Sequence, residues 1–296
     1  MLKNNMFSKN KPYPILALLA AMVSIQAGAA LAKHLFQAVG PQGITSLRLL
    51  FATIILVSIW RPWKKLPPRE QWPTIIYYGI SLGSMNLLFY LSIARIPLGI
   101  AIAIEFTGPL AIALIGSRRL YDIIWLISAA TGIALLLPIS VFSEKLDMLG
   151  ILYSFAAAAC WALYIIFGQK AGNAAHGGTV TALGMIIATL LVFPIGVAQA
   201  GLKIFDWSIL PYGIAVAILS SAIPYPLEMV GLRNLPTRTF SILMSMEPVI
   251  GTLSGIIFLG EHLGLIQCVA IGLVIIASIG STWSAQTAET APEMTP

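Results

Sequence analysis

The chain has 296 residues, of which 58% are hydrophobic and only 9% charged, and its mean hydropathy is +0.90. Soluble domains carry about 25% charged residues, so this composition excludes a water-soluble globule and makes the lipid bilayer the solvent for most of the chain. The formal net charge of +6 does not indicate a nucleic-acid partner, because the basic residues sit in short loops, where they set membrane orientation.

Ten stretches have the roughly 20 mostly apolar residues that a membrane span needs. They lie near 13–32, 43–60, 73–93, 97–117, 123–142, 148–168, 179–199, 208–230, 236–259 and 265–284. The connections are short and rich in Pro, Gly and charge, as at Arg61-Pro62-Trp63-Lys64-Lys65-Leu66-Pro67-Pro68-Arg69. The tail, 285–296, is polar and expected to be disordered and cytoplasmic. The Lys-rich start and Ala30-Leu31-Ala32 resemble a cleavable leader. Removing the first span, however, would leave the sixth without its counterpart in the duplication described below.

With the N-terminus in the cytoplasm, the inner side collects twelve basic residues and the outer side four (Lys33, Arg95, Lys145 and Lys203), with Arg48 inside a span. This bias predicts that both termini are cytoplasmic. Cys160 and Cys268 lie in apolar runs and read as small core residues. The three histidines stand far apart, so no metal site is expected.

The chain reads as one unit used twice. Pro97 and Pro109 recur as Pro236 and Pro248 at a constant offset of 139 residues, and Ser81 falls on Ser220 in the same register. Ala52-Thr53 aligns with Ala188-Thr189, and Thr45 with Thr181. The expected domains are a first five-helix repeat over 1–145 and a second over 146–284. Five is odd, so the second copy enters the membrane from the opposite side. The fold class is then an all-α membrane protein of ten helices in two inverted repeats, built for alternating access.

Four ionisable residues fall inside spans: Arg48, Glu105, Glu228 and Glu247. Each costs about 2.5–3.5 kcal/mol at the centre of a bilayer, so such groups face the bundle interior and mark pathways. Counting the helical rise, Glu105 lies about 12 Å and Glu247 about 14 Å below the outer face. Arg48 lies roughly 7 Å below it, within reach of a pairing with Glu105. Glu228 is nearer the inner end, where an interfacial role is equally open. Gln26, Asn86, Tyr90, Trp161 and Tyr164 are candidate cavity walls. Pro109, Pro224, Pro226 and Pro248 are candidate kinks or gates, since each removes an amide donor and frees a carbonyl four residues earlier.

Almost the whole chain resembles the drug/metabolite transporter superfamily in its EamA-type branch, and most closely the bacterial inner-membrane exporters of threonine and homoserine. The resemblance rests on Ile104-Glu105-Phe106-Thr107-Gly108-Pro109-Leu110, Cys160-Trp161-Ala162-Leu163-Tyr164 and Met244-Ser245-Met246-Glu247-Pro248. Tyr78-Gly79-Ile80-Ser81-Leu82-Gly83 and Leu235-Pro236-Thr237-Arg238-Thr239-Phe240 carry it further. Pro226 departs from it, standing where a small polar residue is expected. The resemblance implies a non-enzymatic carrier that exports small neutral amino acids, driven by proton entry. It implies no cofactor, and the lipid bilayer, the substrate and protons as partners. The alternative is a carrier of the same fold for another metabolite, an aromatic amino acid or a cationic drug. The sequence leaves both a monomer and a homodimer open.

Overall fold

A computed structural model describes residues 13–114, 147–174, 177–235, 243–260 and 264–289, scattered positions between 124 and 135, and residues 240 and 262. Among the described residues every regular element is helical. The first half contains α1 (Tyr13–His34), α2 (Phe36–Trp60), α3 (Trp72–Ile93), α4 (Leu98–Glu105) and α5 (Thr107–Leu114). The second half contains α6 (Met148–Ala174), α7 (Gly177–Ala200), α8 (Leu210–Ala217), α9 (Pro224–Asn234), α10 (Glu247–Leu259) and α11 (Leu265–Glu289).

Six helical rods are long and apolar enough to cross a membrane: Tyr13–His34, Phe36–Trp60, Arg69–Ile93, Met148–Asn173, Gly177–Phe205 and Leu210–Asn234. They coincide with six of the ten expected spans. The fourth expected span is not one continuous helix but α4 and α5, separated at Phe106. The ninth is described as a helical turn and α10. The fifth, 123–142, lies largely outside the described residues.

The surface chemistry is the reverse of a soluble protein's. Large apolar side chains face outward, such as Leu190 and Ile257, each 70% exposed. Gln26, Arg48, Asn86, Glu105, Glu228 and Glu247 are buried. Lipid solvates the former and cannot solvate the latter, so the polar groups turn inward.

The bundle is held by a few helix pairs: α2 on α7, α3 on α6 and α7, α1 on α9 and α10, α2 on α8, and α4 on α6 and α10. Without a hydrophobic difference between lipid and protein, close approach and interhelical hydrogen bonds supply the association. At the α2–α7 seam, Ser46 Oγ donates to the Val192 carbonyl (3.0 Å), and Thr53 Oγ1 bonds both the Met185 carbonyl (3.0 Å) and Thr189 Oγ1 (2.7 Å). α2 is kinked near its start at Gly40, whose φ of 70° suits a residue without a Cβ, and Pro41 follows.

Two smaller expectations are corrected. Cys268 is exposed, not a core residue; a helix that is apolar all round can place a cysteine against lipid at little cost. Residues 285–289, expected in the polar tail, are the last of α11, which runs to Glu289; residues 290–296 lie outside the described residues.

Candidate functional site

Proline chemistry builds the site. Pro109 has no amide proton for the Glu105 carbonyl, and its ring crowds that oxygen. The helix therefore separates one turn earlier, at Phe106, and Glu105 becomes the last residue of α4. Gly108 lets the break lie against α6, because a Cβ there would collide with the Ala158 carbonyl. In the second half, Pro248 likewise cannot serve the Met244 carbonyl. A tight turn, Met244–Met246, precedes α10, and Glu247 becomes its first residue. Both mid-span carboxylates thus stand at helix breaks.

Pro224 acts through a different geometry. Residues Ile218–Ala222 form a π turn, and the Ile223 amide reaches the Ile218 carbonyl at 3.1 Å. In that pattern the Leu219 carbonyl would be served by residue 224, which is proline. Ser24 Oγ of α1 supplies the missing donor at 2.5 Å. Pro226 lies in the first turn of α9 and lines a separate hollow with Tyr13, Trp60 and Arg233, outside the central cavity.

The central cavity lies where α1, α2, α3, α6, α9 and the two breaks meet. Seven of the nine polar and aromatic candidates line it: Gln26, Arg48, Asn86, Glu105, Trp161, Glu228 and Glu247. The other two stand behind it. Tyr90 accepts a hydrogen bond from Arg48 Nη1 (3.0 Å), with the guanidinium carbon 4.5 Å from its ring centre. Tyr164 donates to Glu228 Oε2 at 2.7 Å. Arg48 and Glu105 share the cavity, yet among the described residues Arg48 forms no ion pair. The hydrogen bond from Arg48 goes to the Tyr90 hydroxyl and not to the Glu105 carboxylate.

Ile25, Ala29, Met85, Phe89 and Tyr225 complete the lining. Tyr225 is not among the site residues expected from the sequence although the repeat register points to it: it is Asn86 shifted by 139, and its hydroxyl donates to Asn86 Oδ1 at 2.8 Å. Met85 and Phe89 flank Asn86, and Ile25 and Ala29 flank Gln26, at helical spacing. Behind Glu228, Tyr164 stacks on Tyr78 with ring centres 5.3 Å apart.

Gln26 Nε2 donates to Glu247 Oε1 at 2.9 Å, while Gln26 Oε1 and Glu247 Oε2 have no partner among the described residues. The same holds for Arg48 Nε and Nη2. The Glu105 carboxylate opens on the cavity. About 40 Å³ remains open to the centres of water molecules, room for a few waters and not for an organic solute.

A lipid-facing helical bundle gathered around buried acids, amides and a guanidinium is the architecture of a membrane transporter. The chain belongs to the EamA-like transporter family, whose sequence profile matches residues 12–138 and 148–283. It is a carrier and not an enzyme. Among similar proteins is the threonine/homoserine exporter RhtA of Escherichia coli, 53% identical over 91% of each chain. The protein of the same name from Salmonella typhimurium is equally similar, 53% identical over 91% of each. The uncharacterized transporter YwfM of Bacillus subtilis is 24% identical over 81% of this chain and 85% of its own. A crystal structure 17% identical in sequence covers 92% of this chain and 99% of its own with a TM-score of 0.62, a likeness of fold.

Proposed function

We propose that the chain exports threonine, homoserine and related small neutral amino acids across the bacterial inner membrane by alternating access, in exchange for protons. The 53% identity over 91% of the chain to proteins named threonine/homoserine exporters carries this reading. The cavity supports it, since it offers acids and amides for an ammonium group and a guanidinium for a carboxylate along one lining.

Alternating access rests on ten helices in two inverted five-helix repeats. The helix pairs support that arrangement: exchanging the halves turns α3 on α6 into the α1–α9 pair, and α4 on α6 into α1 on α10. Two side hollows support it as well. One is lined by Pro41, Gln42, Leu91, Ala94 and Arg95, the other by Gly177, Gly178, Val230, Arg233 and Asn234. The second set is the first shifted by 136 residues in the α2 positions and 139 in the α3 positions. Two equivalent packings, one open to each side, are what alternating access needs. The excess of basic residues on one side supports cytoplasmic termini.

Glu105 and Glu247 are the groups that exchange a proton for the substrate's ammonium. One proton moved per zwitterion carries one charge, which at about −150 mV supplies roughly 3.5 kcal/mol, enough for a several-hundred-fold gradient. The test is growth. Overexpression is expected to protect cells from toxic threonine and homoserine but not from unrelated toxic solutes. No protection, or equal protection against all of them, would refute the substrate assignment.

A further inference from the structure

We infer that the cavity is polarised toward a zwitterion and sets its orientation: the Nε–Nη2 edge of Arg48 takes the substrate's α-carboxylate, and Gln26 Oε1 with Glu247 Oε2 takes its α-ammonium. This rests on the export reading above and goes beyond it by giving each end of the substrate a named partner.

A guanidinium offers two parallel donors along the edge formed by Nε and one terminal nitrogen, and a carboxylate fits that fork with two hydrogen bonds. Arg48 is only 2% exposed, and its other terminal nitrogen is committed to the Tyr90 hydroxyl at 3.0 Å. The Tyr90 ring beneath the guanidinium holds it in place. The remaining edge, Nε and Nη2, has no partner among the described residues. Two buried donors left open on a fixed group are costly, and a carboxylate satisfies both at once.

The acceptors mirror this. Gln26 is 1% exposed and Glu247 5%. Their mutual hydrogen bond uses one atom of each, so Gln26 Oε1 and Glu247 Oε2 are acceptors without donors. An ammonium carries three donors and no acceptor. All three side chains line the same cavity. A solute with only a cationic end leaves the Arg48 edge empty, and one with only an anionic end leaves the acceptors empty. Sites that hydrogen-bond a substrate group reject analogues lacking it strongly, because the site's own polar atoms stay unpaired.

The test uses labelled threonine uptake into inverted membrane vesicles carrying the full chain, with unlabelled competitors. The competitors are threonine, its amino-alcohol analogue lacking the carboxylate, and N-acetylthreonine lacking the ammonium. With the wild-type chain, each analogue is expected to compete about 100-fold more weakly than threonine. Arg48→Lys keeps the charge and loses the fork. It is expected to bring the preference over the amino alcohol below about 10-fold while keeping the preference over N-acetylthreonine. Gln26→Leu is expected to do the reverse. If the wild type accepts either analogue as well as threonine, the orientation is wrong whatever the variants do, so a variant that fails to fold does not shield the proposal. It is also wrong if Arg48→Lys lowers both preferences equally. Vesicles that take up neither threonine nor homoserine would instead refute the export reading, and the orientation with it.

Discussion

Glu105 and Glu247 differ in their surroundings although both line one cavity. Glu247 shares an oxygen with Gln26 and opens α10, where the positive end of the helix dipole favours its charge. Glu105 closes α4, where the dipole opposes its charge, and among the described residues it has no such amide partner. Under the proposed exchange, Glu105 is assigned the proton and Glu247 the substrate's cationic end. Glu105→Gln is expected to abolish export against a gradient while leaving at least a tenth of the threonine–threonine exchange. Glu247→Gln is expected to raise the KM of both modes at least tenfold. Transport in vesicles with and without an imposed proton gradient separates the two outcomes, and proton-driven efflux that survives in both variants would defeat the proposed coupling.

Helix breaks position these groups, and they depend on single residues elsewhere. Ser24 stands in for the amide that Pro224 lacks, so Ser24→Ala leaves the Leu219 carbonyl unserved between two helices. Its expected cost is about 1 kcal/mol, the range of interhelical hydrogen bonds in membranes, read as lower thermal stability in detergent. Ser24→Thr retains the hydroxyl and is expected to restore most of it. Gly108→Ala drives a Cβ into the Ala158 carbonyl. Backbone cannot yield as a flexible side chain does, so transport is expected to fall at least tenfold while insertion into the membrane, followed by expression level, persists. The prolines themselves were legible in the sequence as breakers. The form of each break was not: Pro109 acts at Phe106, and Pro224 acts through a π turn that a hydroxyl on another helix completes.

At the scale of the molecule, Arg95 at the end of α3 holds Asp147 at the start of α6 with a 2.6 Å ion pair. Ser92 bonds the Gly150 carbonyl and Ser154 one turn deeper. These contacts pin the two halves together at one end of the bundle. The hydrogen bond from Arg95, followed by the Leu149 amide, holds the Asp147 carboxyl below the usual carboxylate range. Its contribution is therefore complete above the ordinary Asp value near about 4 and is lost as pH falls through the depressed one. The pair is half-exposed, so the effect is small and screened by salt. Thermal melting in detergent is expected to decline in acid for the native chain and to decline less for Asp147→Asn. Identical acid profiles would show that the pair does not stabilise that end of the bundle.

The sequence alone determined that lipid is the solvent, that a carrier family is the right comparison, and that a handful of polar residues must turn away from the bilayer. The first and last follow from one large cost, the transfer of charge and unpaired backbone into hydrocarbon, which is visible in composition and spacing without coordinates; the family came from the resemblance carried by motifs such as Ile104–Leu110 and Met244–Pro248. Only the tertiary structure decided who partners whom: Arg48 with Tyr90 and not Glu105, Tyr225 with Asn86, Gln26 with Glu247. Those pairings depend on differences of a few ångströms in how helices cross. Such differences set the choice between near-equal hydrogen bonds, and helical periodicity carries no record of them.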